Sequence, residues 1–160
     1  MKDTKEIRRM LWQSLDMAYV KMWLFVAAVC APITWLILWL STQSYHYHSN
    51  EQAVMIWVSL AIIIGPILVF CAIRTFNIFR HPESYHFCKT TLCNPKGGSM
   101  RDTIKFTVVI EDADGDQFAA DTHSIFYTHT NMFGLGLEDY VNRTVTAGYN
   151  QETGQVVIIG

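Results

Sequence analysis

The sequence predicts a membrane α + β protein: a two-helix transmembrane hairpin followed by a small antiparallel β domain, closed as a five-stranded barrel or curled as a rolled sheet. Three observations lead there. Two long apolar runs stand close together in the first half of the chain. Lys and Arg flank the pair but are absent from the loop between them. After Arg80 the texture changes to short alternating segments divided by clusters of Asp, Gly and Asn, the pattern of antiparallel strands with one buried face.

The first run is Met22 to Leu40 and the second Ala53 to Ile73. Each is close to the ~20 residues that a helix needs to cross hydrocarbon. Neither carries the polar stripe of a water-facing helix; only isolated Thr and Ser interrupt WLFVAAVCAPITWLILWL and AVMIWVSLAIIIGPILVF, and these bond back to their own backbone. Trp23 and Trp39 stand near the ends of the first run, where indole favours the membrane–water boundary. A cleaved signal peptide is the rival reading of that run, but no small-x-small cleavage pattern follows it. Pro32 and Gly65-Pro66 fall inside the spans; ordinary kinks are preferred to a gate. Small residues Ala27, Ala28, Ala31, Ala61 and Gly65 permit close helix contacts. No Asp, Glu, Lys, Arg or His lies in either span, which argues against an ion path within one hairpin.

Charge sorting sets the orientation. Of the 160 residues 51% are hydrophobic and 16% charged, and the net charge is -2, which leaves no basic field for nucleic acid. Residues 1–21 carry +2, residues 22–73 contain no Lys or Arg, residues 74–101 carry +4 and residues 102–160 carry -7. Positive flanks stay on the cytoplasmic side. Both termini are therefore predicted inside an inner (plasma) membrane, with the loop 41–52 outside. That loop contains His46 and His48 among tyrosines, read as interfacial residues rather than a metal pair. The expected organisation is a cytoplasmic N-terminal segment 1–21, a hairpin 22–73, a basic linker 74–84 and a β domain 85–160.

In the N-terminal segment Ile7, Leu11, Leu15, Ala18 and Met22 recur at helical spacing. Two readings stand open: an interfacial helix with its apolar side at the acyl boundary and its arginines on headgroups, or an extension of the first membrane helix into the cytoplasm that packs on the chain's own domain. Arg8, Arg9, Arg74 and Arg80 are the expected headgroup contacts.

The five strands expected are Tyr85 to Leu92, Thr103 to Glu111, Gln117 to Tyr127, Arg143 to Tyr149 and Gln155 to Ile159, with turns at NPKGG, DADGD and NQETG. DADGD is like the start of an EF-hand loop, but Gln117 stands where Gly belongs and His123 where the closing Glu belongs, so it reads as a hairpin turn. His81, His86, Cys88 and Cys93 are four zinc-type ligands within thirteen residues. Their spacing lacks the C-x2-C knuckle, and strand alternation puts Cys93 opposite His86 and Cys88. No cofactor is expected, zinc on this cluster being the alternative. Cys30 and Cys71 read as buried apolar residues. Asp121, His123, Ser124 and His129 form no triad from spacing alone, Gly134 and Gly136 no phosphate loop, and the NRT acceptor at Asn142 is on the wrong side of the membrane for glycosylation. The sequence therefore gives no catalytic residue, and an enzyme is the less favoured expectation.

TVVIEDADGDQF and the closing VTAGYNQETGQVVIIG resemble the small β module of a broad group of uncharacterised bacterial membrane proteins, domains of unknown function in which a membrane hairpin precedes the module. The resemblance spans about Leu92 to Gly160 and departs from that pattern at Glu152-Thr153-Gly154, where those proteins often have Pro. It implies no site residues. The expectation is an anchored, non-enzymatic binding or assembly module whose acidic domain meets an unidentified protein partner, with Met132, Phe133, Leu135 and Leu137 as contact candidates. A zinc or redox protein and an oligomeric pore are the alternatives, and a homo-oligomer is compatible with each.

Overall fold

The first helix, α1 (Thr4–Trp12), opens on Asp3, whose carboxylate accepts from the Lys5 amide at 3.4 Å, an N-cap of the ordinary kind. A two-residue break at Gln13 and Ser14 separates it from α2 (Leu15–Gln43). Ser14 caps α2 in turn: its hydroxyl oxygen accepts from the Met17 amide at 3.3 Å, and Asp16 stands in the first turn, where the helix dipole favours an acid. The third helix, α3 (Ser49–Phe79), follows. The computed structural model describes residues 3–43, 49–92, 96–97, 103–111, 115–126 and 143–159.

The chain forms two compact units, one of Met1–Tyr19 with Thr75–Gly160 and one of Val20–Arg74; they are called here the head and the hairpin. In the hairpin both helices are long and apolar enough to cross a membrane. With 29 and 31 residues, each rises roughly 45 Å, about a bilayer with its headgroups. Both run through their prolines, Pro32 and Pro66. Their apolar side chains are largely uncovered, Trp57 and Ile62 at 69%, unlike those of core helices in a water-soluble domain.

After α3 a single 3-10 turn (Pro82–Ser84) leads into eight strands among the described residues. They are β1 (Tyr85–Thr91), β2 (Lys96–Gly97), β3 (Thr103–Lys105), β4 (Thr107–Glu111), β5 (Gln117–Asp121), β6 (Ile125–Phe126), β7 (Thr144–Asn150) and β8 (Val156–Ile159). They make three antiparallel sheets, β1-β7-β8, β2-β3-β6 and β4-β5. The expected five-stranded barrel is thus corrected: among the described residues no barrel closes. Two of the five expected strands are broken, and a ladder interrupted this often lacks the continuous register that closure requires. The break at Phe106 is stabilised across the gap. The Phe106 amide donates to the Thr122 hydroxyl at 3.0 Å, and the Thr122 amide donates to the Phe106 carbonyl at 2.9 Å. Phe106, buried to 1% exposure, points inward where β3 hands over to β4.

The core of the head joins both ends of the chain. Val156, Val157, Ile158 and Ile159 of β8 are all buried, so this strand is covered on both faces, and its unalternating VVII run follows from that. One sheet edge belongs to β8, and Ser14 bridges to Ile159 along it. Helix α1 packs against β8 and the 3-10 turn through Ile7 and the fully buried Leu11. The apolar side of this helix thus lies in the protein interior rather than at the acyl boundary.

Gly148 sits mid-sheet opposite Phe87 on β1 and Val157 on β8. A Cβ there would lie 2.7 Å from the Phe87 ring and 3.0 Å from a Val157 methyl. Gly148→Ala is therefore expected to cost about 1–2 kcal/mol by displacing the Phe87 ring; unchanged urea unfolding would contradict this packing.

Candidate functional site

Two surfaces of the head carry the side chains of interest. The first surrounds the end of α3. His81 follows the helix in a left-handed conformation (φ 55°), which turns the chain toward Pro82 and β1. Its Nδ1 lies 3.2 Å from Glu152 Oε2 and 3.6 Å from Glu83 Oε1, and its Nε2 accepts from Arg80 Nε at 3.2 Å. Ser84 Oγ donates to the other oxygen of Glu152 at 2.8 Å. These are nucleophile, acid and base types, but Ser84 donates to the carboxylate and not to the imidazole, so the Ser–His pair of a triad is not made.

Beneath that cluster Asn150 is fully buried. Its Nδ2 donates to the carbonyl oxygens of Arg80 at 3.4 Å and His81 at 3.1 Å. Its Oδ1 accepts from the amides of Glu152 at 3.0 Å and Thr153 at 3.1 Å. One side chain thereby ties the turn between β7 and β8 to the chain leaving α3. Gly154 closes this turn at φ 68°, donating its amide to the Asn150 carbonyl at 2.8 Å.

Tyr85 completes the junction, its hydroxyl donating to the Ile78 carbonyl at 3.1 Å. Burial pushes its phenol well above the usual range; a hydrogen bond with Asn150 opposes this, and the nearby Asp16 carboxylate adds to it. An unfolded tyrosine ionises near pH ~10, where the folded one stays protonated. The stability that this difference contributes is complete below that pH and is lost as pH rises past it. Tyr85→Phe should therefore flatten the alkaline limb of a Tm-against-pH curve, and an unchanged limb would contradict the assignment.

The second surface is the β4-β5 hairpin. Glu111, Asp116, Gln117 and Asp121 are all exposed, with Glu111 opposite Gln117 and Thr107 opposite Asp121. Thr107 Oγ1 donates to Asp121 Oδ1 at 2.6 Å. The arrangement is a solvated acidic strip on a short two-stranded sheet.

The residues singled out in the sequence distribute as follows. Arg8 and Arg9 are exposed on α1 and Arg80 at the end of α3. Arg74 is buried in the hairpin, its guanidinium 5.8 Å from the centre of the Phe70 ring. His86 and Cys88 share β1, the first exposed and the second half-buried; Cys93 lies outside the described residues. Among the described residues no group of three or more His, Cys, Asp or Glu side chains is placed to hold a metal ion. Met132, Phe133, Leu135, Leu137, His129 and the outer-loop histidines also lie outside them. In the hairpin, Trp35, Trp39 and Trp57 line a cleft of about 220 Å³ with Gln52, Ala53 and Ile56. The Trp35 and Trp39 rings stack there at 6.2 Å, and Gln52 Nε2 donates to Thr42 Oγ1. Asn150 was not identified as a site residue from sequence; the only local signal was its place at the start of NQETG.

The class that fold and site define is a pair of long apolar helices joined to a small antiparallel sheet unit. No family model matches the chain, and no curated protein or solved structure matches it.

Proposed function

We propose that the protein is a membrane-anchored, non-enzymatic binding or assembly module, with the hairpin spanning an inner membrane and the acidic β4-β5 strip presented to a basic partner protein on the cytoplasmic side. The observation that carries this reading is the uncovered apolar surface of α2 and α3, which water would not tolerate on two helices of this length. A signal peptide fits poorly. Residues up to Tyr19 belong to the head, and Leu11, Leu15, Met17 and Tyr19 are part of its core, so removing the first apolar segment would open that core.

Orientation follows from Lys and Arg, which flank the hairpin and are missing from its loop. Binding is favoured over catalysis because the Ser–Glu–His grouping described lacks the Ser–His hydrogen bond of a triad, whereas the acidic strip is open to solvent and suited to a basic surface.

The test is affinity purification of the full chain from native membranes beside a Glu111→Lys/Asp116→Lys variant. The proposal predicts a basic protein retained stoichiometrically by the natural chain and released by the charge reversal. Identical co-purifying sets from the two would overturn the acidic strip as the contact.

A further inference from the structure

Helix α1 carries a second face opposite the one it buries. Lys5, Arg8, Arg9 and Trp12 follow the i, i+3, i+4, i+7 spacing, which gathers them within an arc of about 100° on a helix. All four are exposed, Trp12 at 52%. Ile7 and Leu11, both buried, occupy the other side. The cationic stripe therefore ends on a solvent-facing indole while the helix is held by its apolar side.

The neighbours of that indole indicate what it meets. The Trp12 ring centre is 6.3 Å from that of Phe79, the last residue of α3, and Phe76 one turn earlier is 64% exposed. Helix α3 is roughly 45 Å long, enough to carry its ends to headgroup level on both sides of a bilayer. On the membrane reading above, on which this inference rests, Phe79 stands at the inner headgroup layer, and Trp12 stands beside it. Indole prefers that layer, and cations next to it attract anionic lipid.

We infer that the Lys5–Arg8–Arg9–Trp12 face of α1 is a docking surface for anionic phospholipid headgroups of the inner leaflet. The contact is made by a helix already folded against β8, so it fixes the head at the membrane surface without the helix having to insert. It also assigns the lipid-facing part of the N-terminal segment to the side opposite its apolar stripe.

The chain has five tryptophans, so the emission lost on Trp12→Phe isolates Trp12 in the full protein. In nanodiscs, quenching by brominated phosphatidylglycerol is compared with quenching by brominated phosphatidylcholine at equal mole fraction. The expected result is Trp12 emission quenched severalfold more strongly by the anionic lipid, with that preference lost in Arg8→Gln/Arg9→Gln. Equal quenching by the two lipids, or none by either while Trp23, Trp35, Trp39 and Trp57 are quenched, overturns the docking surface alone. Absence of quenching at those four as well overturns the membrane reading and this inference with it.

Discussion

Leu11→Ala is expected to destabilise the head by about 3 kcal/mol, in the lower half of the range for truncating a fully buried leucine. Leu11 has no exposed surface and belongs to the helix that packs on β8. The loss has two parts, the apolar contact itself and the cavity left between a helix and a strand that cannot close over it. Amide exchange is the appropriate readout because the signal is local. Protection of Val156–Ile159 should fall by roughly two orders of magnitude, while Arg9→Ala on the exposed face leaves it unchanged. Equal protection in the two variants would mean that α1 is not part of this core.

Asn150→Ala should be of similar size, about 3 kcal/mol, since it removes a fully buried side chain and leaves four part-buried backbone groups without the partners that now satisfy them. The Arg80 and His81 carbonyls lose a donor, and the Glu152 and Thr153 amides lose an acceptor. Asn150→Asp keeps the two accepted bonds but sets a charge beside two carbonyl oxygens, and is expected to be no milder. By contrast Glu152→Gln, at an exposed residue, should stay within about 0.5 kcal/mol, as surface pairs usually do. Thermal unfolding in detergent measures all three; a mild Asn150→Ala would contradict the clamp.

The contrast between Asn150 and Glu152 also explains what was legible in the chain. The two apolar helices were, because a 20-residue run without charge has few other physical solutions. The strands β1 and β7 were, from alternation, and β8 from the turn residues that end at Gly154; the expected turn at NPKGG instead contributes Lys96–Gly97 to β2. The turn at NQETG could be read locally, but not that Asn150 reaches about seventy residues back to the end of α3. The docking of α1 on β8 was one of two open readings, since Ile7 and Leu11 would show the same periodicity facing lipid or sheet. The barrel was overturned at Phe106 and Thr122, where a side-chain hydroxyl takes over the pairing. Nothing in alternation marks such a hand-over. The acidic strip was visible as net charge in residues 102–160, although its exposure on one hairpin needed the β4-β5 register.

Matched reporter fusions in a bacterial host test the topology most directly. A fluorescent protein placed after Gly160 should light up, and alkaline phosphatase should be inactive there yet active when inserted between Tyr45 and His48. Active phosphatase after Gly160 would put the head on the outer side and contradict the account.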